Sequence, residues 1–336
     1  METIQSRGQF RYVTPVPPQA ATGRVAQVYA QLAEDFGMAR MAVFLTLSPS
    51  AEVLAATWAM LRESLLSGNA ARAGKEVVAL GVSMANKCPF CVAAHTTLLH
   101  ATGDHRLAET IAAGGTPSDP AHARLLAWAK ERGGIAGPFE ARHAPEYIGT
   151  ALIFHFINRM ASALLTDNLL PGNLQKSRLV RSVGGRVMAR AVRRRLPPGA
   201  SLPLIADLPG SPESAWAAGT PIAPAYAALR AVAGDGGALL GDTARAAVTD
   251  TVAAWDGEHP PMGNAWLGGL PEEDRPGARL ALLAALAPYR VTDADVAAWR
   301  GSRTDEDLVR LCAFGAITAT ERAETLITEA LAGERS

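Results

Sequence analysis

An all-α chain is expected from three observations. Alanine and leucine dominate the 336 residues, alternating β-branched runs are scarce, and glycine or proline punctuates stretches of helical length. The length suits one large domain or two ordinary ones, and 49% hydrophobic with 19% charged residues is a globular composition. Lys plus Arg equals Asp plus Glu at 32 each, so no net field draws in nucleic acid or an anionic membrane. The N-terminus METIQSRGQFRYVTPVPPQA lacks the apolar core of a signal peptide, and no apolar run reaches membrane-spanning length. Three cysteines are too few for a disulfide framework. A soluble, cytoplasmic protein is expected, and there a close cysteine pair points to catalysis or metal binding.

The elements follow in order. After an extended Pro-rich arm over residues 1–21, Thr22 is placed to cap a helix that runs to about Asp35 and is stopped by Gly37. Ser50 is placed to cap AEVLAATWAMLRESLL, whose apolar residues recur at three and four. A helix is expected over Arg72–Ala85, and another from the cysteines to Gly103. Asp104 opens a short helix to Gly114 and Ser118 opens the next. The segment APEYIGTALIFHFINRMASALL reads as a core helix, too polar at His155, Asn158 and Arg159 to lie in lipid. Seven prolines between Leu196 and Pro224 mark a linker over 196–224 between helical halves at 22–195 and 225–336. Setting GARLALLAALAPYRVTDADVAAWR under GKEVVALGVSMANKCPFCVAAHTT aligns Gly277 with Gly74 and Arg279 with Glu76. It also puts Val291 at Cys88, Ala294 at Cys91 and Ala298 at His95. The second half thus reads as a related repeat that lacks the chemistry of the first.

That chemistry is concentrated in Glu76 and Cys88-Pro-Phe-Cys91-Val-Ala-Ala-His95, the pattern E-x11-C-x2-C-x3-H. Proline is favoured at the first helical position, so Pro89 places Cys88 at the N-cap and Cys91 in the first turn. There the unpaired N–H groups and the helix dipole favour a thiolate, the reactive form. His95 follows one turn along the same face. Glu76 lies nine residues before the expected helix end, roughly 13–14 Å, and His95 roughly 10 Å down the returning helix. An antiparallel hairpin therefore brings carboxylate, imidazole and thiol into one line.

These four positions resemble the CxxC branch of the alkylhydroperoxidase D-like and carboxymuconolactone decarboxylase-like superfamily, and the likeness of style covers roughly residues 40–165. The resemblance implies an all-helical fold, a thiol-dependent peroxidase and a homo-oligomer, so the two halves are expected to be related bundles of this type, the second degenerate. It implies that Cys91 attacks the hydroperoxide, that Cys88 resolves the sulfenic acid, and that Glu76 and His95 relay protons. No bound cofactor is implied; an external dithiol such as lipoamide or a thioredoxin-like protein would reduce the disulfide. Phe90 departs from the best-known peroxidase of the family, which carries a relay histidine there, so the relay here is shorter. The decarboxylase members lack the cysteine pair, and their activity does not carry over. The resemblance also places His155, Asn158 and Arg159 near the site as candidate substrate-binding residues, with Phe90.

Other readings remain. The pair would bind zinc if His95 and His100 completed C-x2-C-x3-H-x4-H, but His100 is about 140° round the helix. It would serve disulfide exchange in a dithiol–disulfide oxidoreductase, or be vestigial in a helical binding or assembly protein. Asn158 and Arg159 would equally pin helices together, and His155 would be a hydrogen-bonded core histidine. Cys312, in LVRLCAFGA, is expected to be a buried inert thiol. The run Arg190–Arg195 lacks interleaved aromatics and reads as a solvated or oligomer-facing helix end. No strand–GxGxxG–helix unit signals a nucleotide.

Overall fold

The computed structural model describes residues 8–38, 40–131, 135–167, 177–256 and 267–333; the first seven residues of the expected arm lie outside them. Among the described residues, fourteen α-helices and a few single helical turns account for the architecture, with no β-sheet and only two isolated bridges. No helix among them is long and apolar enough to cross a membrane.

The first helices follow the expected order. α1 (Gly23–Phe36) ends where Gly37 turns left-handed at φ 74°. α2 (Ala42–Leu47), which carries no strong sequence signal, leads into α3 (Ala51–Leu61). Thr22 and Ser50 stand at the N-caps, yet neither side chain makes a capping hydrogen bond. α3 continues as a π-helical turn over Arg62–Leu66. That turn presents the buried Glu63 to the Pro-rich stretch, where it accepts from the Gly199 N–H at 2.6 Å and the Ser201 hydroxyl at 2.6 Å.

α4 (Arg72–Ala85) and α5 (Pro89–Thr102) form an antiparallel hairpin with the expected bounds. Gly74 is needed there: a Cβ would lie 2.7 Å from the Tyr147 hydroxyl. α6 (His105–Ala112) is capped by Asp104 as expected. α7 (Pro120–Lys130) is capped by Asp119 and not by Ser118. A carboxylate directly before a proline at N1 supplies the cap, and Asp119 accepts from the Ala121 N–H at 3.1 Å.

α8 (Ala144–Leu164) is the wall on which the site is built. Every residue from Glu146 to Leu164 is buried, because α8 has neighbours on all sides. It packs on α3 and α4 and also on α12 (Arg275–Leu286) and α14 (Asp305–Gly333). α9 (Arg178–Val192) lies along α5. α10 (Ile222–Asp235) packs on α3, and α11 (Asp242–Ala253) on α12. α12 and α13 (Asp293–Arg300) make a second hairpin. The N-terminal arm runs past the end of α8, with the Arg11 N–H bonding to the Leu164 carbonyl at 3.0 Å. It then reaches the second hairpin, where Arg11 Nη2 donates to the Val291 carbonyl at 2.7 Å.

Candidate active site

The turn between α4 and α5 sets the cysteines. The Cys88 N–H reaches back to the Ser83 carbonyl at 3.0 Å and the Lys87 N–H to the Met84 carbonyl at 3.1 Å. This paired closure is a Schellman motif, which needs a left-handed residue at Lys87, and Lys87 has φ 53°. Cys88 then stands at the N-cap, Pro89 at N1 and Cys91 at N3, as the sequence predicts. The Cys91 N–H donates to Cys88 Sγ at 3.3 Å, so a sulfur does the work usually done by a capping oxygen. The two sulfurs are within bonding distance as a disulfide, with Cα atoms 5.3 Å apart. No acidic residue occupies the first turn of α5, so nothing there opposes a negative sulfur. Both cysteines are buried, Cys88 at 1% and Cys91 at 3% exposure.

The hairpin brings Glu76 to His95: the imidazole Nδ1 lies 2.7 Å from Glu76 Oε2. A carboxylate only accepts, so Nδ1 carries the proton and Nε2 is the nitrogen left for exchange. Glu76 is fully buried, and burial alone would raise its pKa; Arg72 and His95 outweigh that and hold it below the usual carboxylate range. Arg72 Nε donates to Glu76 Oε1 at 2.8 Å from one turn earlier. Phe154 of α8 packs edge-on to the His95 ring with centroids 4.3 Å apart and fixes its plane. Sequence reasoning left both residues out. Arg72 had a signal, the i, i+4 spacing to Glu76. Phe154 had none, since its contact comes from tertiary packing.

The softer candidates sit behind the turn. His155 Nδ1 is 3.3 Å from Asn86 Nδ2, one residue before Lys87, and 3.4 Å from Arg159 Nη1. Asn158 Oδ1 accepts from the Ser83 hydroxyl at 3.2 Å, while its Nδ2 is buried without a hydrogen-bond partner. Arg159 Nε donates to the Ala285 carbonyl at 2.6 Å and so joins α8 to α12. Phe90 is 7% exposed and belongs to the apolar core. His100 turns to His105 and Glu109, with Nε2 2.6 Å from Glu109 Oε1. No group of three or more His, Cys, Asp or Glu side chains is placed to hold a metal among the described residues. Cys312 is fully buried in α14, and burial pushes its thiol up to about 12.

The model of the carboxymuconolactone decarboxylase family matches residues 51–131, the stretch holding Glu76, both cysteines and His95. An alkyl hydroperoxide reductase of Mycobacterium tuberculosis is 41% identical over 336 residues, covering 97% of this chain and 97% of that protein. No solved structure matches at a significant level. With a full-length relative at that identity and the four motif residues inside the matched segment, the chain belongs to the carboxymuconolactone decarboxylase family, in its alkylhydroperoxidase D-like, CxxC-containing branch.

Proposed function

We propose that this protein is a thiol-dependent alkyl hydroperoxide reductase. The observation that carries the reading is the buried Glu76–His95 hydrogen bond of 2.7 Å, formed one helical turn from a cysteine pair within disulfide reach. The reductase name of the M. tuberculosis relative supports it.

His95 Nε2 accepts the Cys91 thiol proton, and Glu76 stabilises the imidazolium. The Cys91 thiolate attacks the distal oxygen of the hydroperoxide; the O–O bond breaks and the alcohol leaves with the proton returned by His95. Cys91 is now a sulfenic acid. Cys88 attacks that sulfur, water departs, and the Cys88–Cys91 disulfide forms. A dithiol reductant then restores both thiols by two exchanges. The sum is one hydroperoxide and two thiols to one alcohol, one water and one disulfide. Burial of the sulfurs favours a slender dithiol such as lipoamide over a thioredoxin-like protein face. His155 and Arg159 hold the wall behind the turn in this scheme and touch no substrate. The burial also favours a second reading, a non-catalytic helical protein with vestigial cysteines. The retained Glu76–His95 contact argues against it.

Thiol counts and intact mass, before and after one equivalent of hydrogen peroxide or cumene hydroperoxide, test the proposal. Wild type should lose two thiols and the mass of two hydrogens, and Cys88→Ser should accumulate a sulfenic acid on Cys91. Unchanged thiols with both oxidants would overturn it.

A further inference from the structure

A cavity of about 350 Å³ lies at the end of the α4–α5 hairpin opposite the cysteines. Thr102 on its wall is eleven residues beyond Cys91, roughly 16 Å along α5, so it is separate from the sulfur site. Its lining carries Arg72, Lys75, Arg193, Arg194 and Arg195 against one acid, Asp104. Asp104 is already engaged as the α6 cap, accepting from the Leu107 N–H at 2.9 Å. Lys75 is 2% exposed and paired with Glu146 at 2.8 Å, and Arg194 reaches Asp35 at 3.1 Å. Arg193 spends only its Nε, on the Ala101 carbonyl at 3.1 Å, and Arg195 makes no ion pair among the described residues. Arg72 is committed to the sulfur site: its Nε and Nη2 each lie 2.8 Å from Glu76 Oε1. The same wall includes Ala71–Ala73, where α4 begins with no side-chain cap and no acid in its first turn.

Like charges gathered round a hollow repel one another, and an anion in the hollow relieves that repulsion. The planar guanidinium forks offer paired donors suited to carboxylate and phosphate oxygens. The volume exceeds that of a bare oxyanion and falls in the range of small-molecule sites. We propose that this cavity binds the phosphate or carboxylate group of a small organic molecule, held chiefly by Arg193 and Arg195. The inference stands independently of the peroxidase reading.

Calorimetric titration and thermal melts of the full chain with inorganic phosphate and with citrate, at ionic strength held constant by sodium chloride, test it. Wild type should show saturable binding and a raised Tm, and the ratio of the two affinities identifies the preferred anion. Arg195→Ala and the double variant Arg193→Ala/Arg195→Ala should bind at least about tenfold more weakly, while Arg195→Lys should keep part of the affinity. Arg195 is exposed, so its replacement leaves the fold in place. Binding by Arg195→Ala and the double variant that equals wild type, no saturable binding by wild type, or a Tm response that sodium chloride alone reproduces, would overturn the proposal.

Discussion

The α4–α5 and α12–α13 hairpins solve one problem with different atoms. Each opens on a third-residue glycine where the neighbour comes too close for a Cβ: Tyr147 at 2.7 Å for Gly74 and Leu240 at 2.6 Å for Gly277. Each joins its two helices by a side-chain pair that includes a carboxylate, Glu76 with His95 at 2.7 Å and Arg279 with Asp295 at 2.6 Å. Each caps its second helix with a side chain, the sulfur of Cys88 in one and the hydroxyl of Thr292 in the other. The first set consists of an imidazole, a carboxylate and two sulfurs, residue types suited to proton and electron transfer. The second set is a guanidinium locked to a carboxylate that a capping box already holds ionised. Where the first hairpin has Cys91 and His95, the second has Ala294 and Ala298 beside a cavity of about 310 Å³. Both hairpins thus carry a pair between their helices and a side-chain cap, and they differ in which atoms supply them.

The comparison breaks most readily through the acid on the first helix. Under the proposed relay, Glu76→Gln should lower peroxide turnover by about 10²- to 10⁴-fold, since it removes the charge that would stabilise a His95 imidazolium. Arg279→Gln at the matching position should leave turnover unchanged, and a comparable loss there would erase the distinction. Removing the cation beside Glu76 comes next. Arg72→Met leaves a fully buried carboxylate with His95 alone and should cost on the order of 3 kcal/mol in urea unfolding.

Arg72→Met also carries a pH signature. Glu76 titrates lower in the folded chain than in the unfolded one, so its contribution is complete above the ordinary carboxylate range and is lost as pH falls through its folded value. In Arg72→Met the folded value rises toward the unfolded one, so that contribution should shrink and the acid limb of the rate profile should begin at higher pH. Unmoved profiles would separate Arg72 from the relay. Asp295→Asn should cost about 1 kcal/mol through its weakened capping box and ion pair, with no change in thiol oxidation. The depressed pKa of Asp295 means that this deficit should shrink as pH falls through its folded value. The smallest effect has the opposite sign: Lys87→Gly should stabilise the chain by about 0.5–1 kcal/mol, because only glycine takes the left-handed position without strain. A destabilised Lys87→Gly would show that the lysine side chain, whose Nζ sits 6.0 Å over the Tyr289 ring of the second hairpin's turn, matters more than its backbone.

Local rules made the site's frame legible. Pro89 fixed the start of α5, residue counting along two antiparallel helices brought Glu76 to His95, and the long apolar run at 144–165 became α8. What escaped was set by contacts between distant segments. Phe154 meets His95 only because α8 crosses the hairpin, and Arg159 finds the Ala285 carbonyl across a large sequence gap. A left-handed lysine at Lys87 runs against its own backbone preference, so no propensity points to it. The burial of both cysteines likewise depends on walls that a local pattern does not describe.

The 1% and 3% exposures of Cys88 and Cys91 give the sulfur pair an aperture rather than a face. Reagents passing it are sorted by cross-section before intrinsic reactivity counts. Under the proposed peroxidase reading, a short hydroperoxide should therefore oxidise the thiols faster than a branched one, whose access would depend on local opening of the hairpin end. The same burial should make bulky disulfides poor oxidants of the pair.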